Sequence, residues 1–138
     1  MIMGALDGIY EDAATMADRD WTRVEPWNRF RLVRARMMLH DVRWFLEHRR
    51  TPESVTKNPT GMRVDLDTHH AVEDELSIPG YSVGYEARKS LMQLQEDALI
   101  VARAINAGST LPEWAEAHVF SAYVDVDQVQ QQAAPDVT

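Results

Sequence analysis

Two matched apolar seams in the last third of the chain leave it little choice but a pair of helices joined by a short turn. From Ala87 the apolar positions run Ala87, Leu91, Leu94, Ala98, Val101 and Ile105, alternating steps of four and three. That spacing keeps one stripe of an α-helix turned toward a partner. Gly108 follows as a C-terminal cap would, because glycine enters the left-handed region without a Cβ clash. Thr110 and Glu113, in Thr110-Leu111-Pro112-Glu113, stand at the two positions of a capping box. A second seam then runs Ala115, Val119, Ala122, Val126, Val129 and Ala133. The pattern predicts an antiparallel helical hairpin over residues 86–132, with Leu94 and Ile105 facing Val119 and Val129. Residues 133–138 read as a loose tail.

The rest of the chain is also helical in pattern. Leu6, Ile9, Tyr10, Ala13, Met16 and Ala17 predict an amphipathic helix over residues 5–18. Pro26 suits the first position of a second helix, from Trp27 to His48, with Trp27, Phe30, Val33, Met37, Met38, Val42 and Phe45 on its apolar side. Arg29, Arg31, Arg36 and Arg43 fall largely on other faces. Pro52, Pro59 and Gly61 punctuate residues 50–67, which read as an extended arm. Met62 to Leu66 alternates as a short strand would, Asp67 opens a short helix through Leu76, Pro79-Gly80 makes a turn, and Tyr81 to Tyr85 is a linker. The expected fold is all-α, one small helical domain spanning residues 1–138. Its parts are N-terminal helices over 1–49, an arm or loop with a short helix over 50–85, the hairpin, and the tail.

A length of 138 residues supplies one core but hardly two. Without cysteine, neither disulfides nor thiolate-bound zinc can staple the fold. No apolar run approaches the ~18 residues of a membrane-spanning helix, and the first residues reach Asp7 without the basic region of a signal peptide. The net charge of −8 is unevenly spread. Residues 19–50 hold nine Arg and four acids, whereas residues 65–138 hold thirteen acids and three basic residues. Overall acidity disfavours nucleic acid as a partner. The basic segment is expected to pair with the acidic half of the same fold or of a neighbour.

No catalytic or metal-binding constellation emerges. His69 and His70 diverge by roughly 100° on a helix and cannot easily share one ion; ion pairs with Glu73 and Asp74 are the expected outcome. His40 beside Asp41 has no nucleophile to activate, and Glu-x-x-His, the di-iron signature, is absent from the sequence. Glu73, Glu96 and Asp97 are the acids that a magnesium-dependent nucleotide pyrophosphatase could use, although such a site needs several acids on two facing helices. Trp114, in the first turn after the capping box, either closes the hairpin end or anchors a partner. Val55, Met62, Val64 and Leu66 are the arm's candidate contacts with neighbouring subunits.

One resemblance joins these observations. Ser90-Leu91-Met92-Gln93-Leu94, Asp97-Ala98, Ile105-Asn106-Ala107-Gly108 and Leu111-Pro112-Glu113-Trp114, followed by Val119, Ala122 and Val129, resemble a C-terminal helical hairpin of tailed-bacteriophage structural proteins, especially those of T4-like and cyanophage virions. The match runs from Arg88 to Val129. His118 departs from the family's usual Lys, and Tyr123-Val124-Asp125 departs from its Asp-Tyr order. The resemblance implies a non-enzymatic virion component and by itself leaves head, connector and tail open; a head- or connector-associated part, made in the host cytoplasm and oligomeric in the particle, is the expectation. Its partners would be other phage proteins (capsid, connector or tail), with no cofactor. The alternatives are a cytoplasmic helical metal-dependent nucleotide pyrophosphatase and a helical partner-binding regulator.

Overall fold

Four long helices share one core, and each buries a seam that steps by three and four. The computed structural model describes residues 1–21, 24–56, 68, 70–72, 74 and 82–137, apart from the side chains of Val83 and of residues 133–137. The helices are α1 (Ile2–Ala17), α2 (Pro26–His48), the single turn α3 (Glu53–Thr56), α4 (Val83–Asn106) and α5 (Glu113–Val137). No strand occurs among the described residues. Leu6, Ile9, Ala13 and Met16 of α1 and Leu32, Ala35, Leu39, Val42 and Leu46 of α2 belong to one buried cluster. The predicted seams supply the other half, with Leu91, Leu94, Ala98 and Val101 from α4 and Val119, Ala122, Val126 and Val129 from α5.

The arrangement differs from the predicted hairpin in which helix lies against which. α1 and α2 each pack against both α4 and α5, while neither α1 with α2 nor α4 with α5 forms a close pair. The two C-terminal seams therefore face the N-terminal helices, not each other. Side-chain pairs give the directions. Along α2, Arg29, Arg36 and Arg43 meet Glu86, Ser90 and Asp97, so α2 and α4 run parallel. Arg31, Arg34 and Phe45 meet Gln132, Asp125 and Trp114, so α2 and α5 run antiparallel. Gly8 lies under the Tyr123 ring, where a Cβ would collide with it, and sets the closest approach of α1 to α5.

A parallel α2 and α4 explain the long connection between them. The chain leaves α2 at one end of the bundle and must enter α4 at the other, about 34 Å away at ~1.5 Å per residue. Its described residues climb back along α2: Ser54 donates to Asp41 at 3.2 Å, the buried Thr68 lies 3.8 Å from the Met37 sulfur, and the Val72 carbonyl accepts from Arg29 at 3.0 Å. Glu53–Thr56 is a helical turn where an extended arm was expected, with the Pro52 carbonyl accepting from the Val55 and Thr56 amides. Thr68, His70 to Val72 and Asp74 have helical backbone, as expected for that segment. The alternating Met62 to Leu66 and the Pro79-Gly80 turn lie outside the described residues.

Caps and boundaries follow local chemistry. Ser82 caps α4, its hydroxyl accepting from the Tyr85 amide at 3.1 Å, so the helix starts within the predicted linker. Gly84 lies in the first turn close under the Trp21 carbonyl, where a Cβ would sit a tight 3.0 Å from that oxygen. At the other end Gly108 takes φ 103°, Ser109 N–H reaches the Ala104 carbonyl at 2.9 Å and Gly108 N–H reaches Ile105 at 3.0 Å. This is the Schellman closure expected there. The predicted capping box does not form. α5 begins at Glu113, and the Pro112 carbonyl takes the Ala115 and Glu116 amides, which leaves Thr110 outside the helix. The backbone of α5 is helical as far as Val137.

Candidate functional site

The polar groups that the fold places most deliberately are the arginines of α2. Arg29, Arg36 and Arg43 recur every seven residues, which aligns them along the α4 side of the helix. Arg29 Nε donates to Glu86 Oε1 at 2.6 Å, and Arg36 Nη1 donates to Ser90 Oγ at 3.2 Å. Arg43 spans three acids, with contacts of 2.6 Å to Glu47, 2.9 Å to Asp97 and 3.3 Å to Glu96. On the α5 side Arg34 grips Asp125 in a two-point fork, Nε to Oδ2 at 2.8 Å and Nη2 to Oδ1 at 2.6 Å. Its guanidinium also stands 5.1 Å from the Phe30 ring centre. Glu86, Asp97 and Asp125 are all buried, and each is met by an arginine of α2. The basic segment thus pairs with the acidic half of its own fold.

Burial and pairing move the titration of three carboxyls in different directions. Burial raises the Asp97 carboxyl above its usual range, and this outweighs the opposing pull of Arg43 and His40. Asp12 on α1 is raised by burial first and by Asp127 and Glu11 after it. The exposed Glu47 is lowered by its hydrogen bond to Arg43. Glu96 and Asp97, the acids that a magnesium site could use, both accept from Arg43 Nη1. Glu73 and His69 lie outside the described residues. His70 is exposed. His40 is 3.8 Å from Asp97 and mostly exposed. Among the described residues no group of three or more His, Asp or Glu side chains could hold a metal ion.

The second cluster closes one end of the bundle, where the last turns of α2 meet the start of α5. Trp114 meets the Phe45 ring edge-on at 5.7 Å and the His118 ring edge-on at 5.3 Å. Trp44 stacks on His48 at 4.2 Å, with Arg50 5.7 Å from its ring. Arg49 ends α2 in the left-handed region at φ 58° and reaches Ser109 in the α4–α5 turn at 3.4 Å. Trp114 is therefore half-buried on its own chain and closes the bundle end. Val55 is half-buried on α3. Met62, Val64 and Leu66 lie outside the described residues.

His118 adds a pH dependence to this end. Its Nε2 is buried with no hydrogen-bond partner among the described residues. Burial lowers its pKa from 6.5, against a smaller raising effect of the backbone hydrogen bond at Trp114. The unfolded chain therefore binds more protons than the folded one as the pH falls below that value. The stability it contributes is complete above its unfolded pKa and is lost on acidification toward the lower folded value. A His118→Gln variant is expected to show a shallower loss of denaturation midpoint between neutral and mildly acidic pH. Identical slopes for the two proteins would overturn this assignment.

Sequence reasoning missed the arginine line that faces α4, in which Arg36 is buried and Arg29 and Arg43 are partly exposed, because arginine is read by default as solvated. Among the described residues the buried acids Glu86, Asp97 and Asp125 are held in ion pairs with α2, and the aromatic cluster at the bundle end is packed within the chain. Compared with protein-family models, curated proteins and solved structures, the chain matches none of them.

Proposed function

We propose that this chain is a non-enzymatic structural component of a tailed-phage particle, associated with the head or connector and acting through protein–protein contacts. The observation that carries the reading is the division between its interior and its surface. The buried acids are engaged by arginines, whereas large apolar side chains stand outside: Trp27, Tyr85, Met92, Leu99, Phe120 and Val124 are all exposed. Exposed apolar side chains mark a site of association where they adjoin one another, as Tyr85, Met92 and Leu99 do at seven-residue spacing along α4. The resemblance over Arg88 to Val129 supports the same reading, because its residues have architectural tasks here. Leu91, Leu94, Ala98, Val119, Ala122 and Val129 are core, and Gly108 caps α4.

In this reading α4, the turn and α5 correspond to the family's helical hairpin. The arm expected over residues 50–67, with Val55, Met62, Val64 and Leu66, supplies a second contact with neighbouring subunits. Mass spectrometry of purified particles tests the proposal, with this chain expected at fixed stoichiometry relative to the capsid or connector protein. Its absence from intact particles, or metal-dependent nucleotide hydrolysis by the purified chain, would overturn it.

A further inference from the structure

Opposite its buried seam, α4 carries a second line of apolar residues that faces outward. Tyr85, Met92 and Leu99 recur every seven residues and are 50%, 65% and 39% exposed. A seven-residue repeat keeps side chains on one edge over several turns, which is how one helix presents itself to another. At ~1.5 Å per residue the line is about 21 Å long. We propose that it is a contact between two copies of this chain, α4 against α4, antiparallel about a two-fold axis at Met92. The inference deepens the reading of the chain as an assembly component and rests on it for its purpose.

The sequence around the line favours this occupant. An isologous contact requires that each residue find a suitable partner in its own mirror position along the helix. Centred on Met92, antiparallel pairing brings Tyr85 of each copy level with Leu99 of the other, an aromatic ring against an aliphatic side chain. Met92 meets its counterpart on the axis, where an unbranched thioether adapts to its own copy. Charge selects the direction. Lys89 and Glu96 lie on one flank of the line, seven residues apart, and Arg88 and Gln95 lie on the other. In an antiparallel helix pair like flanks face each other, so Lys89 of each copy stands beside Glu96 of the other. The contact then gains two opposite-charge pairs. A parallel pair would instead set Lys89 beside Arg88. Glu96 is exposed and touches Arg43 of its own chain at 3.3 Å, and its carboxylate has a second oxygen for a partner.

The natural absence of cysteine makes the test direct. On mild oxidation of the full-length protein, Met92→Cys is expected to form a disulfide-linked dimer, since the two residues meet on the axis. Ser121→Cys, on the exposed side of α5, is expected to stay monomeric. In sedimentation equilibrium the unaltered chain should be a dimer, and Met92→Lys should raise its dissociation constant at least tenfold with an unchanged helical signal. Lys89→Glu and Glu96→Lys should each weaken the dimer, and the double variant should restore it. A chain that stays monomeric to its solubility limit, a dimer indifferent to Met92→Lys, or cross-linking that favours position 121 would overturn the proposal. A monomer that still co-purifies with particles would remove the self-contact and leave the virion reading standing. A dimer absent from particles would do the opposite.

Discussion

Arg29→Ala is expected to lower the unfolding free energy by about 3–5 kcal/mol, the cost of removing one partner from a buried ion pair. Arg29 donates to Glu86 at 2.6 Å and to the Val72 carbonyl at 3.0 Å, so one side chain ties α2 to α4 and to the crossover. Its loss leaves the Glu86 carboxylate, 1% exposed, without this cation in the interior. Replacing both partners, with Arg29→Met and Glu86→Leu, should recover most of the loss, because the apolar pair needs no compensation. Urea denaturation of the two single variants and the double variant closes a cycle that isolates the coupling. An Arg29→Ala protein within 1 kcal/mol of the parent, roughly the value of an exposed pair, would show that the contact has little weight.

Leu94→Ala should be about as severe, at roughly 2–5 kcal/mol, because truncating a fully buried leucine forfeits its transfer energy and leaves a cavity. Leu94 is completely buried in the shared cluster. Glu116→Ala, on the exposed side of α5, should change stability by no more than about 0.5 kcal/mol. The contrast tests the assignment of faces, and comparable losses at both positions would contradict it. Because α4 packs on α1 and α2, the Leu94 cavity should also loosen α1. Faster amide exchange along Ile9 to Met16 would report that.

The seams of α4 and α5 were legible because their alternation of four and three admits only a helix. The Gly108 cap was legible because glycine is the residue that enters such a turn most readily. Which seam packs on which was not legible. Ala, Leu and Val look alike from any partner, and the choice rests on contacts far apart in sequence, such as Arg34 with Asp125 and Gly8 with Tyr123. The width of the buried face of α2 was underestimated for a related reason. Leu32, Leu39 and Leu46 form its central seam, while Phe30 and Val33 are buried beside it and Trp27 stands exposed. A helix packed on two neighbours and a crossover buries more than one stripe. Gly84 looks like a linker residue in the sequence, and its close neighbour, the Trp21 carbonyl, lies 63 positions away. For the candidate site, Trp114 was legible as a residue at the end of a helical pair, but the rings it meets, Phe45 and His118, were not.

The order of packing also governs how the molecule must come together in time. Each close helix pair joins one helix made before the crossover to one made after it. When α1 and α2 leave the ribosome, neither of the helices they lie against has been synthesised. Nothing local rewards their early docking, and the loop that brings α4 back beside α2 has to close before the core gains much. Chains dominated by such distant pairings fold more slowly than bundles whose successive helices are neighbours. The nascent N-terminal half therefore spends its longest exposure with Leu32, Leu39 and Leu46 uncovered, and during that interval it is most open to aggregation and to capture by chaperones.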